Sequence, residues 1–480
     1  MRLLRNPSLL AVSALLFAAC ASTDLSKATK PFREGKIQQA ANEIAGIKGD
    51  SSTDGVWIQM EKGSILKVAG RFKESQQALD QCQQRMDELL AKSGAESVAV
   101  GGIAGAGAVM TDDRQCTYVG ALYELQMVCA LQTMNSLLAS NLSNAQAAIS
   151  SLRARVDEAD SAKEKARQYL DKKREENLKK GQEYFADNED VLGLSSADDK
   201  LKAAYTSWAD STLGIGLYLG AVVDRESGKG SDFPGLMERS AESAKSLSHL
   251  ADEAFYPNLA KSLDAAVADM AALPNGPTTY VIVESGLAPF REVDGDELQK
   301  MQKTKGLDVQ LPKLRHEPAR LVTGWVVEPF PGQVQQLPLL TSIDVVKQNE
   351  FDINYPDIRY RAVLGKIIKK SMMVAGAAVA IAAEDKTAKM IGAGVYLFGA
   401  VSDAMQGADL RSWDCLPSAY YAIAVPTPAN GVIKVGPEGA ALTEVKVVPG
   451  VSNFVVVTSL SPKECIAHSA PIQPVAAPTN

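Results

Sequence analysis

The sequence predicts an α+β chain: a helical first half, then a mixed second half with short antiparallel strands and an apolar helical segment. Three observations predict it. Apolar residues recur at helical spacing from about residue 24 to 270. Short β-branched runs begin after Pro274 and are separated by prolines and glycines. A second apolar stretch of helical style, residues 371–401, interrupts those runs.

Residues 1–19 read as a secretory signal peptide. Arg2 and Arg5 give a positive start, Leu9 to Phe17 a short apolar run, and Ala18-Ala19 a small-residue approach to Cys20. The run is shorter than the about 20 apolar residues a permanent spanning helix needs. Leu16-Phe17-Ala18-Ala19-Cys20 resembles the bacterial lipobox, with Phe17 standing where an aliphatic residue is more usual. That resemblance implies cleavage before Cys20 and acylation of its thiol. Ala21-Ser22 resembles an outer-membrane sorting signal, because an aspartate after the cysteine would imply inner-membrane retention.

Residues 20–272 are expected to form the helical domain. Ala28, Gly35, Ile37, Ala40 and Ile44 are echoed by Gly63, Gly70, Phe72, Ser75 and Leu79, with Gly35 and Gly70 35 positions apart. A period near 34 residues suggests tetratricopeptide-like helix pairs. Leu122, Leu125, Val128, Leu131, Met134 and Leu138 form the apolar face of a third pair, which turns at Asn141 and continues through Ala145 to Val156. The charged run from Lys163 to Lys180 reads as a solvated helix, and a further pair is expected over 198–224 and 236–272. The glycines of residues 98–110 are in the wrong order and context for a dinucleotide loop.

Residues 273–468 are expected to form a mixed α/β domain, and 469–480 a flexible Pro/Ala-rich tail. Strands are predicted over 279–283, 321–327, 342–346, 420–425, 432–435, 444–448 and 453–460. Each apolar half of 371–401 is too short to span a bilayer. The expectation is a buried hairpin or one long helix against the sheet, with contact to lipid or an apolar partner as the rival reading.

Lys and Arg number 50 against 57 Asp and Glu, a net charge of −7, which argues against a nucleic-acid partner. With Cys20 committed to lipid, five cysteines remain, and an oxidising compartment permits disulfides. Cys415 and Cys465 are the favoured pair because both fall in the late strand-rich region. The three histidines, His249, His316 and His468, are scattered, and neither H-E-x-x-H nor G-x-S-x-G occurs. No catalytic residue, metal ligand or cofactor is therefore expected. Ser285, after a strand and before Gly286, lacks a nearby histidine in sequence. Glu284 and Arg291 are expected to brace the strand end. Asp409, Arg411 and Trp413 are expected to turn inward where the apolar helix meets the last strands, with a shallow peptide or glycan site as the rival role.

Four motifs carry a broader likeness. Tyr118-Val119-Gly120-Ala121-Leu122-Tyr123-Glu124, Val283-Glu284-Ser285-Gly286-Leu287-Ala288-Pro289, Ala408-Asp409-Leu410-Arg411-Ser412-Trp413 with Leu416-Pro417, and Asn453-Phe454-Val455-Val456-Val457 resemble a family of bacterial outer-membrane lipoproteins with tetratricopeptide-like helices. Leu410 stands where Thr is more usual, and Cys415 replaces Thr or Leu. No reaction is assigned to that family, so the resemblance implies fold and location. The expected function is a non-enzymatic scaffold or adaptor on the periplasmic face of the outer membrane, with a protein partner or a second copy. An accessory factor for peptidoglycan or surface-polysaccharide synthesis or export is the alternative, and an envelope hydrolase the third reading.

Overall fold

The computed structural model describes residues 23–49, 53–93, 117–156, 213–229, 274–305, 307–383 and 407–473, with a few isolated positions besides. Cys20 with its signal, residues 98–110, the run from Lys163 to Lys180, residues 198–212 and 240–272, most of 384–406 with the second half of the apolar stretch, and the last seven residues lie outside the described residues. The chain is α+β, with helices first and most strands later.

The helices begin as two hairpins. α1 (Ser26–Arg33) and α2 (Ile37–Ala45) form the first, α3 (Gly55–Val68) and α4 (Phe72–Ser93) the second. Each turns through a glycine in the left-handed region, Gly35 at φ 78° and Gly70 at φ 77°. The hydrogen bonds are those of a Schellman ending: Gly35 N–H to Phe32 O with Lys36 N–H to Pro31 O, and Gly70 N–H to Lys67 O with Arg71 N–H to Leu66 O. An L side chain is strained at that φ, which is why the 35-residue echo falls on glycine. α5 (Leu122–Leu138) ends the same way at Ser140, φ 55°, and continues into α6 (142–156). The hairpins bear out paired helices; the finer tetratricopeptide assignment remains an expectation. α7 covers Gly214–Glu226.

The strands form a five-stranded sheet in the order β11-β10-β1-β7-β6, with ranges β1 Thr278–Ser285, β6 Leu339–Ser342, β7 Ala419–Pro426, β10 Asn453–Ser461 and β11 Glu464–Pro471. A second sheet runs β5-β4-β8-β9, from Gln333–Gln336, Trp325–Phe330, Val432–Pro437 and Thr443–Lys446. β2 (Phe290–Val293) and β3 (Pro312–Arg315) make a ribbon beside α8 (Gly295–Lys305). β1 is β-branched and buried along its whole length, as a central strand covered on both faces should be. Glu284 faces α3 and Tyr280 reaches Glu226 of α7, whereas Ser285, of opposite parity, faces the segment before β4.

Four expectations need correction. β1 pairs with β10 in parallel, Glu284 beside Thr458, so the strands are not uniformly antiparallel; side-chain alternation carries no information about strand direction. The strand expected at 342–346 stops at Ser342, whose hydroxyl accepts from Val345 N–H and caps α9 (Ile343–Ala382). Ser469 to Pro471, expected to open a tail, belong to β11. The boundary near 273 marks a change of secondary structure within one core: Val56, Leu79, Leu131 and Leu219 of the helices share a cluster with Val283, Trp325, Tyr420 and Val457 of the sheets.

Candidate functional site

The chemistry-bearing side chains gather where α3 meets the segment 407–418 and the end of β1. Asp54 precedes α3 and does not cap it. Its Oδ1 accepts from Arg411 Nη1 at 2.9 Å and its Oδ2 from Thr23 N–H at 2.9 Å. Arg411 also binds Asp409 through Nε and Nη2, both at 2.9 Å, and its guanidinium lies 5.6 Å from the Tyr118 ring centroid. Burial opposes its charge, but the Asp409 and Asp54 carboxylates outweigh that and raise its pKa. Arg411 was expected to turn inward, and it is buried. The structure gives it carboxylates, because α3 presents its N-terminal side, with Asp54, to this segment.

Trp413 is fully buried, as expected. Its indole N–H donates to Ser64 Oγ of α3 at 2.8 Å, and its carbonyl accepts from Lys347 Nζ of α9 at 3.0 Å. The seam it fills lies between α3 and the loop. Glu61, also on α3, accepts from the backbone N–H groups of Asp414 (2.6 Å) and Cys415 (3.1 Å). Burial, reinforced by the Asp414 charge, pushes the Glu61 carboxyl up to about 8. Asp344 accepts from Ser418 Oγ at 2.8 Å, and burial pushes it up to about 8 as well. Burial lowers the Lys347 pKa, against the pull of Asp414, Glu124 and Glu61.

Glu284 forms a second centre. Both its oxygens accept from Lys67 Nζ, at 2.5 and 2.6 Å, and Oε2 also accepts from Thr458 Oγ1 at 2.6 Å. Ser285 Oγ donates to Val322 O at 3.0 Å and accepts from Val322 N–H at 3.1 Å, so its hydroxyl is spent on fastening a loop. A Cβ on Gly286 would stand 3.0 Å from Ser418 Cβ and 3.2 Å from Leu321 Cα, which explains a residue without a side chain there. Arg291 lies 5.8 Å from the Phe351 ring centroid. With Glu124, Lys347, Glu350, Tyr118 and Tyr123 it lines a cavity of about 20 Å³, room for one water. Glu124 accepts there from both tyrosine hydroxyls and from Ala121 N–H.

Cys415 and Cys465 are both free thiols, contrary to the expected bridge. Alternation along β11 gives the reason. Ile466 packs with the cluster that holds Cys415, and its neighbour Cys465 packs against the other cluster, so adjacent side chains point to opposite faces. Burial and the nearby Glu61 push the Cys415 thiol well above its usual range, which disfavours the thiolate. The His468 ring meets Val68 O at 3.0 Å and stacks edge-on with Phe72, and that of His316 meets Gln348. Among the described residues no group of three or more His, Cys, Asp and Glu could hold a metal ion.

The sequence reading missed Asp54, Glu61, Lys67, Glu124, Asp344 and Lys347. A signal existed for two of them. Ile58, Glu61, Ile65 and Val68 follow one helical stripe, and Val56, Met60, Ser64 and Lys67 another, so each charge sits on an apolar face. Such a position marks a buried, paired charge.

A concavity opens outward among the described residues. It measures about 660 Å³ and lies between the Gly35 turn, the end of α3 and β11, lined by Ile37, Gln38, Lys463, Glu464, Ile466 and His468 among others. β11 is an edge strand of its sheet. Comparison with protein-family models, with curated proteins and with solved structures finds no match.

Proposed function

We propose that the chain is a non-enzymatic adaptor, held on the periplasmic face of the outer membrane by acyl chains on Cys20, that takes an extended partner polypeptide in the groove beside β11. The observation that carries this reading is the contrast between the charged centres and the groove. The carboxylates of Asp54, Glu61, Glu124 and Glu284 are buried and engaged by the chain's own donors, whereas the groove is open and bordered by an edge strand. Its volume falls in the range of about 300–1,000 Å³ usual for ligand sites. An edge strand offers backbone groups for strand addition, and flanking pockets select side chains. The family likeness and the lipobox support the location.

The test joins location to groove. A photocrosslinking residue at Lys463 should give one dominant adduct in intact envelopes, and the same residue at Val334, exposed on β5, should not. Cys20→Ser should leave the membrane fraction. Equal labelling at both positions overturns the groove, and an undiminished outer-membrane signal from Cys20→Ser overturns the anchor. Retention on purified peptidoglycan with no protein adduct moves the reading to the wall-synthesis accessory factor.

A further inference from the structure

We propose that residues 371–382, the end of α9, form a lipid-contacting face that lies flat on a phospholipid surface with anionic headgroups. This contact is additional to the acyl anchor. α9 is 40 residues long, about 60 Å at the α-helical rise of about 1.5 Å per residue. The exposed positions along its end are Ser371, Val374, Ala375, Ala378, Val379, Ile381 and Ala382. Their spacing places them on one side of the helix, and none is charged. Val374 is 71% exposed, Val379 44% and Ile381 82%. A water-facing helix side ordinarily carries polar residues.

The remaining positions of this end, Met372, Met373, Gly376, Ala377 and Ala380, are less exposed and apolar too. The segment is therefore apolar around its circumference, a pattern of helices buried in protein or in contact with lipid. Among the described residues, protein covers one side only. No described helix is long and apolar enough to cross a membrane, which leaves a contact in the membrane plane. Lys370 precedes the apolar stretch, and Asp385 and Lys389, both exposed, follow it. Lys389 can lay its stem on the apolar boundary and reach lipid phosphates.

Area decides between lipid and a second copy of the chain. Twelve helical residues cover about 18 Å by 10 Å, a footprint of roughly 180 Å². A stable protein interface needs about 800 Å² from each partner. Interfacial helices have no such threshold, since their binding grows with buried apolar area and attraction to anionic lipid.

The test uses the mature chain from residue 20 made without acyl groups, as Cys20→Ser, so that failure of the anchor reading cannot affect it. The probe is vesicles of phosphatidylglycerol and phosphatidylethanolamine, separated by flotation. The parent should float with the vesicles, and Val374→Glu with Ile381→Glu should reduce the floating fraction roughly tenfold. Val334→Glu should float like the parent. Thermal unfolding of the double variant should match the parent, because both side chains are exposed. A parent that stays below the vesicles, or a double variant that floats equally well, overturns the proposal. A parent that does not float but sediments as a dimer, which the double variant loses, assigns the face to a second copy instead.

Discussion

Lys67→Met keeps an unbranched apolar stem and removes the ammonium, which strands the Glu284 carboxylate inside the core. The pair is 2.5 Å apart, with 4% and 2% of the two side chains exposed. The surroundings are apolar: Phe32, Val68, Leu131, Leu416 and Leu460 line the same small space. After the substitution Thr458 Oγ1 still donates to the carboxylate, with Tyr420 beside it. Removing one partner of a buried pair costs about 3–5 kcal/mol, because the other charge is left uncompensated. At about 2–4 °C per kcal/mol for a domain of 150–250 residues, the melting temperature falls by roughly 6–20 °C. Glu284→Gln in the Lys67→Met background removes the stranded charge, keeps an acceptor for Thr458 and should recover most of the loss. The assay is thermal unfolding followed by circular dichroism between pH 5 and 8, for parent, single and double variants. A Lys67→Met deficit below about 1 kcal/mol, the median of surface pairs, would refute the assignment of a buried pair.

The remaining predictions concern the seam and the thiols. Trp413→Ala should lose about 3–5 kcal/mol from the cavity it opens, read as a drop in urea midpoint, and Trp413→Phe should lose less. Arg411→Ala should also cost about 3–5 kcal/mol, since it leaves the buried Asp54 carboxylate without its cation; an unchanged midpoint would place the guanidinium in solvent. Glu61, pushed up to about 8 by burial and Asp414, binds a proton in the folded chain that the unfolded chain has lost above the ordinary carboxylate range. Its contribution is thus full at low pH and lost as pH rises toward 8, so Glu61→Gln should flatten the fall in melting temperature between pH 5 and 9. Alkylation without reduction should label both Cys415 and Cys465 in unfolded protein; in native protein Cys465 should react faster, being half-buried where Cys415 is buried. Peptide mass spectrometry reads both, and a Cys415–Cys465 cross-linked peptide would contradict the structure.

Local physical chemistry made much of this protein legible in its sequence. Gly35 and Gly70 announced helix hairpins, because a Schellman ending needs a left-handed residue and glycine meets that need without strain. β1, β7, β8 and β10 were readable from β-branched runs and their bounding turns. Trp413 was readable as an inward residue because a large indole beside a helix-stopping proline gains most from burial. β11 was not, since its half-exposed pattern carries polar and apolar residues without clean alternation.

Only the tertiary structure decided the rest. The α+β order and the burial of Trp413 follow from residues within a few turns of one another. The parallel pairing of β1 with β10, the partners of Glu284 and the bond of Arg411 to Asp54 join positions 174 or more residues apart along the chain: Glu284 meets Thr458 and Lys67, and Arg411 meets Asp54 besides its near neighbour Asp409. No local propensity specifies which buried carboxylate meets which buried cation; the requirement that each find a partner is general, and the fold alone selects the pair. The same reason separates Cys415 from Cys465. Their nearness in sequence region suggested a bridge, but side-chain parity on one edge strand sends Ile466 toward Cys415 and turns Cys465 to the other face.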